Sequence, residues 1–231
     1  MKKKIQKTPN RKKVKYNKKT WKKLKELRNK AIKTMEKIKH HSPRIYGSIA
    51  RGDVNQESDI DIIIPNKIPS FQIESRINYQ KRKIVQATPG SLIKAHIQIN
   101  PKHQITFPLI KPKGNEMDFY KFGGQIKYKD LKQNKEKRVP GVNKQLNLIE
   151  PTEEGHKEKT IINREAETAN KLKIDIEIVK ERIRVLKRRE KIGKTGIFIN
   201  KELQPNQNFE KTLKKLKKQN PTIKRKWGKT C

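Results

Sequence analysis

The sequence predicts an α+β fold: a mixed sheet with flanking helices, followed by a small helical module carrying a hairpin. Three observations point there. Short apolar stretches with strand-like alternation recur at 44–47, 59–64, 83–87, 92–99 and 105–110. Amphipathic helical spacing precedes and interrupts them. After Pro151 the pattern turns to paired helices, which sets a boundary near 150. The expected divisions are a disordered basic arm over 1–19, a principal domain over 20–149, a small module over 150–208, and a basic helix and tail over 209–231.

Residues 1–19 are mostly Lys, Arg, Asn and Gln, with too little apolar surface to pack. Thr20 reads as the N-cap of a helix in which Trp21, Leu24, Leu27, Ala31, Met35 and Ile38 share one face. The opposite, Lys-rich face reads as solvated. His40, His41, Ser42 and Pro43 end it. A strand at 44–47 runs into a tight turn and a short helix at 48–51, and a polar loop follows at 52–58. In the strand 59–64, Ile60, Ile62 and Ile64 point one way and Asp59, Asp61 and Ile63 the other. Pro65 stops it. Phe71, Ile73 and Ile77 mark an amphipathic helix over 70–82, and Pro89-Gly90 turns the chain between the strands 83–87 and 92–99. The stretch 105–110 continues the β pattern, and 115–123 reads as a short helix ended by Gly123-Gly124.

Residues 125–149 are basic and mixed, ending in Leu146, Leu148 and Ile149. Residues 152–172 read as helical. Asp175 reads as the N-cap of a further helix to about Arg189, with Val179, Ile183 and Leu186 as its buried stripe. Gly193 and Gly196 bracket a hairpin turn between Lys191-Ile192 and Ile197-Phe198-Ile199.

Charge bounds the function. The 231 residues carry 60 Lys+Arg against 23 Asp+Glu, a net +37, with a mean hydropathy of -1.05. Self-repulsion of this size is relieved by a polyanion, and RNA or DNA is the obvious one. Richness in Lys, Asn and Ile also has a bland source, a compositional habit of AT-rich coding. Cys231 is the lone cysteine, so no disulfide and no cysteine-based metal site forms within one chain. No apolar run approaches the roughly 18–20 residues that span a bilayer. The basic N-terminus lacks the apolar segment of a secretory signal. A cytoplasmic protein with no membrane partner is expected.

The chemistry is concentrated in Tyr46-Gly47-Ser48-Ile49-Ala50-Arg51-Gly52 and Ser58-Asp59-Ile60-Asp61. Asp-x-Asp on a strand puts both carboxylates on one face, with Cβ atoms roughly 6–7 Å apart. That separation suits hard, oxygen-seeking cations such as Mg²⁺. Gly-Ser at a strand-to-helix turn lets backbone N–H groups and a hydroxyl approach a phosphate.

These residues resemble the signature of the DNA polymerase beta-type nucleotidyltransferase superfamily, in particular its small archaeal and bacterial members. Gly47, Ser48, Asp59 and Asp61 match it one by one, and Ala50, Arg51 and Gly52 match its common Gly-Ser-x-Ala-Arg-Gly form. The resemblance implies that Gly47 and Ser48, with Arg51, bind the NTP, and that Asp59 and Asp61 hold two Mg²⁺ or Mn²⁺ ions and are the catalytic pair. It also implies a third acid on a neighbouring strand. The strand 92–99 is where it is expected, yet Lys94, His96 and Gln98 lie on one face there and no Asp or Glu does. Either His96 serves in its place, or Asp118 or Glu74 folds in, or transferase activity is weak or absent.

The second half resembles a winged helix-turn-helix, through Asn163-Arg164-Glu165-Ala166 to Leu172, the turn Lys173-Ile174-Asp175, the helix that follows and the hairpin as wing. Lys180, Arg182, Arg184, Lys187, Arg188 and Arg189 decorate the helix, and Lys191 and Lys194 the wing. A recognition helix would present such residues to nucleic acid. Archaeal proteins with this domain order are similar in stretches such as Ile84-Val85-Gln86-Ala87-Thr88-Pro89 and Phe119-Tyr120-Lys121-Phe122-Gly123-Gly124. The expected function is transfer of a nucleoside monophosphate from an NTP to an acceptor hydroxyl, on a nucleic-acid end or on a protein such as a toxin partner. The alternative is a nucleic-acid-binding regulator whose degenerate transferase domain senses nucleotide.

Overall fold

The computed structural model describes residue 5 and residues 11–193 and 196–228. The chain enters on a strand, β1 (Lys12–Lys15), where the sequence suggested an unstructured arm. Helix α1 (Lys18–Lys37) is capped by Asn17, whose side chain accepts from the Thr20 amide, so the helix starts before Thr20. Its apolar stripe of Leu24, Leu27, Ala31 and Met35 is buried as the spacing predicts, but so is Arg28. Strand β2 (Arg44–Tyr46) and the single-turn helix α2 (Ser48–Arg51) follow, then β3 (Ile60–Ile63).

The expected helix over 70–82 shrinks to α3 (Phe71–Glu74). Ile73 and Ile77 are buried, but Phe71 stands in solvent, so there is no continuous apolar stripe to hold a longer helix. Strands β4 (Lys81–Gln86), β5 (Lys94–Asn100) and β6 (His103–Pro108) come next, then α4 (Asp118–Phe122), β7 (Gln125–Lys127) and α5 (Tyr128–Gln133). Strands β8 (Gly141–Val142), β9 (Asn147–Thr152) and β10 (Gly155–Thr160) precede helices α6 (Glu165–Leu172) and α7 (Ile176–Ile192). The chain closes through β11 (Ile199–Glu202), α8 (Phe209–Gln219) and α9 (Pro221–Gly228).

Two sheets result. The larger has the order β11-β4-β5-β6-β3-β2-β7 and is mixed, because β3 and β6 run parallel while the other neighbours are antiparallel. Alternation gives it one buried face, with Ile45, Ile62, Ile84, Ala95, Ile97, Ile105 and Phe107, covered by α1 and α8. Phe209 of α8 meets Phe107 edge-on at 5.9 Å, so the basic C-terminal helix is part of this core rather than an appended tail. The other face carries Asp61, Gln104, His96 and Lys94 and is the polar one.

The smaller sheet, β1-β10-β9-β8, and helices α6 and α7 enclose a second core of Val142, Leu146, Leu148, Ile161, Ala169, Val179 and Ile183. The boundary expected at 150 falls inside β9, and the helix expected from 152 begins only at Glu165. The wing is a further correction. Lys191 and Ile192 belong to α7, and β11 pairs with β4 at the edge of the large sheet, with Ile199 opposite Gln86. Strand β11 finds a sheet edge to extend, which buries Ile199 and satisfies backbone groups that a free two-strand wing would leave to water. Asp175 does cap α7, its side chain accepting from the Glu177 amide at 2.8 Å.

Candidate active site

Gly47 ends β2 and caps α2 with φ +82, a conformation open to glycine and costly for other residues. A one-turn helix keeps its first amides without intrahelical partners, and it needs support. Arg28 supplies it. From α1 its guanidinium donates to the carbonyls of Ile49 at 2.9 Å, Ala50 at 3.2 Å and Lys135 at 2.6 Å. Burial lowers this group to about 10, still charged at neutral pH.

The loop between α2 and β3 folds back on itself. Asn55 accepts from the Glu57 amide, and its own amide donates to Ser58 Oγ at 2.9 Å. Ser48 Oγ then reaches Ser58 Oγ at 3.3 Å. The Gly-Ser turn is thereby held against the residue preceding Asp59. On the other side, Tyr46 lies directly opposite Asp61 in the β2–β3 pair.

Asp59 is exposed and has no hydrogen-bond or ion-pair partner among the described residues. Asp61 is half-buried and faces Gln104, its register partner on β6, whose Nε2 donates to Asp61 Oδ1 at 2.6 Å. Both carboxylates line a small pocket with Gln98, Asn100 and Gln104. Burial raises the Asp61 carboxyl above its ordinary value, the Gln104 hydrogen bond opposes this, and the Asp59 charge adds to it.

The strand beside β3 is β6, not β5, and the residue on it opposite Asp61 is an amide. Sequence reasoning looked for the third acid one strand too far away. Gln104 was missed because an amide carries no chemical signal of its own, and the parallel β3–β6 pairing that places it is not visible locally. Glu74 is engaged by Arg82 at 2.6 Å and by Ser70, and Asp118 by Lys121 at 2.7 Å. His96 does come near. Its Nδ1 lies 3.2 Å from Gln104 Oε1, which fixes a relay: His96 Nδ1–H to the amide oxygen, and the amide nitrogen to Asp61. Its Nε2 is buried without a partner. Burial, with the charge of Lys94, lowers the imidazole to about 4, so it is neutral at physiological pH.

Compared with known protein families, residues 18–199 match the family described as nucleotidyltransferase domain. The chain belongs to that family. No curated protein and no solved structure matches it. As a nucleotidyltransferase domain, it is a transferase fold for nucleoside monophosphates, and its mixed sheet with flanking helices fits that assignment.

The family works with a divalent cation, and the residues of this nucleotidyltransferase domain suit one hard ion. Asp61 is a half-buried carboxylate with no ion pair among the described residues, Asp59 is exposed beside it, and Gln98 and Asn100 bring amide groups to the pocket, whose lining also includes His103 and Lys102, the latter bonded to the Gln56 carbonyl. Among the described residues no third Asp, Glu, His or Cys completes a cluster. Exposed Lys144 acts on Asp61 electrostatically and lowers its carboxyl.

Arg51, which the resemblance places with the nucleotide, is engaged by protein groups. Its side chain is buried, forked onto Asp53 with two contacts at 2.9 Å, and donates to the carbonyls of Gly123 at 2.6 Å and Val142 at 3.4 Å. It ties α2 to the second core. On α7, Arg184, Lys187, Arg188 and Arg189 are exposed. Lys180 is exposed but paired with Glu177 at 2.8 Å. Arg182 turns inward onto the Phe119 ring, 4.8 Å from its centroid, and so leaves the solvent-facing set. Lys194 lies outside the described residues.

Proposed function

We propose that the chain binds an NTP across the Gly47-Ser48 turn and the Asp59/Asp61 pair and transfers its nucleoside monophosphate to an acceptor hydroxyl. The observation that carries this reading is the convergence of the two halves of the motif. Ser48 meets Ser58, Tyr46 faces Asp61, and both aspartates share a pocket at the polar face of the sheet. Ser48 Oγ and the first amides of α2 would bind phosphate oxygens. Asp59 and Asp61 would hold Mg²⁺ or Mn²⁺, which when bound neutralises charge on the phosphates. Gln104, locked by His96, keeps Asp61 aimed into the pocket. With two carboxylates and one amide, the site has fewer anionic ligands than the two-ion arrangement the resemblance implies.

The test is label transfer. The protein is incubated with each α-labelled NTP, Mg²⁺ or Mn²⁺, and total cellular RNA, beside Asp59→Asn and Asp61→Asn. Transfer to RNA or to protein, lost in both variants, names the acceptor class. Transfer retained in both would remove the assignment.

One observation favours a second reading, that the domain senses nucleotide and regulates a nucleic-acid-binding function. It is the amide of Gln104 opposite Asp61. On that reading the wild type binds NTP without releasing pyrophosphate, and Gln104→Asp introduces the release.

A further inference from the structure

Beyond the aspartate pair, the polar face holds two cations that the proposed chemistry does not use. Lys94 comes from β5 and Arg182 from α7, and both lie over the same Phe119 ring, at 5.6 Å and 4.8 Å from its centroid. Lys94 also lies 5.5 Å from the Tyr120 centroid and 3.4 Å from the Tyr120 hydroxyl. Among the described residues neither cation has an ion-pair partner, whereas Lys180, two residues from Arg182, has one. Arg182 Nε is buried and donates to nothing.

Two partly desolvated cations in one neighbourhood, neither of them in an ion pair, destabilise each other. Burial and the Arg182 charge both hold the Lys94 ammonium below its ordinary value. Glu116 acts electrostatically on Lys94 and Glu181 on Arg182, and Glu116 is also bonded to the Lys113 amide. The rings around the pair, Phe119, Tyr120 and Tyr46, contribute no anion and pack edge-on at 5.2 Å. Cation–π contact offsets part of the cost, but it leaves the guanidinium's hydrogen-bond capacity unmet.

We propose that Lys94 and Arg182 form a phosphate-binding site whose ligand bridges the large sheet and α7. A phosphate oxygen is the group that answers both cations at once: it neutralises the charge and takes the orphaned N–H. The same Tyr46 that abuts this cluster faces Asp61, so the phosphate would belong either to the NTP tail or to an acceptor strand entering the same cleft. The site does not depend on the transferase reading.

The experiment is calorimetric titration of the full chain, in EDTA so that no divalent ion engages Asp59 and Asp61, with tripolyphosphate and separately with a 5′-phosphorylated dinucleotide. Lys94→Met and Arg182→Gln are each expected to weaken binding about tenfold, while exposed Lys67→Gln stays within about twofold. Lys94→Arg keeps the charge and is expected to keep binding. Loss confined to tripolyphosphate assigns the site to the NTP tail, and loss confined to the dinucleotide assigns it to the acceptor. Removing one repelling cation is expected to leave the ligand-free unfolding midpoint of Lys94→Met unchanged or higher, while abolishing the phosphate-induced rise. Equal binding by wild type, Lys94→Met and Arg182→Gln, or no binding by wild type, overturns the proposal. Either result leaves the label-transfer assay to judge the transferase reading separately.

Discussion

At the scale of single residues, His96 and His103 hold buried imidazoles whose values are pushed to about 4, in both cases first by burial. Each has a buried Nε2 without a partner. An unfolded histidine titrates near 6.5. Above that value both forms are neutral and these groups favour neither state. Between about 6.5 and 4 the unfolded chain gains protons that the folded chain refuses, so stability falls as pH drops and levels off below the folded value. The expected loss is on the order of 2–3 kcal/mol per histidine. Urea unfolding from pH 7.5 to 4 checks this. His96→Asn and His103→Asn should each flatten the profile, and an unchanged slope in both variants would mean these imidazoles are protonated in the fold. Asp61 carries the opposite sign. Its raised carboxyl costs stability once pH rises through the folded value, so Asp61→Asn should unfold no earlier than wild type at pH 7 even as it loses label transfer. A large drop in its midpoint would make Asp61 structural.

At the scale of elements, the motif was readable because its signal is local. Gly47-Ser48 directly follow β2 and Asp59-Ile60-Asp61 open its antiparallel neighbour β3, only one helical turn and a short loop later. The apolar stripe of α1 and the Asp175 cap of α7 were equally local. What stayed hidden depends on distant partners. Strand β1 looked like a polar arm because its stability comes from pairing with β10, with Lys12 opposite Glu158 and Lys15 opposite Gly155. Strand β11 looked like a wing because its partner, β4, lies over a hundred residues earlier. Arg28 gave no signal in the sequence because its acceptors are carbonyls of other elements. Gly155 exposes this dependence to test. A Cβ there would stand 1.9 Å from the Val14 carbonyl oxygen, a backbone atom that cannot swing aside. Gly155→Ala is therefore expected to push β1 off the small sheet and cost about 1–3 kcal/mol. Removing residues 1–16 should make the substitution nearly neutral, because the clashing strand is gone. An equal cost in both backgrounds would place the strain within the β9–β10 hairpin instead.

At the scale of the whole molecule, net charge and local ion pairs make opposite predictions about salt. The described ion pairs are mostly solvent-exposed, as in Lys15–Glu154, Lys39–Glu36 and Lys180–Glu177. Each such pair contributes little and weakens with salt. Against them stands an excess of 37 positive charges, whose repulsion salt also screens as the Debye length falls from about 10 Å at 0.1 M to about 3 Å at 1 M. The excess outnumbers the pairs, so repulsion wins: the unfolding midpoint is expected to rise between 0.05 and 0.5 M NaCl. Nucleic-acid binding should respond in the other direction. If Arg184, Lys187, Arg188 and Arg189 of α7 meet a duplex, the logarithm of affinity should fall against the logarithm of salt with a slope near 0.9 per phosphate contact. Replacing all four by Gln would then shallow that slope by roughly 3–4 and leave the salt dependence of unfolding nearly intact, since most of the excess charge remains. A shallower slope in both measurements would show that these four residues chiefly set the protein's own repulsion. An unchanged binding slope would move the contact away from α7, to the lysines of α1 and α8.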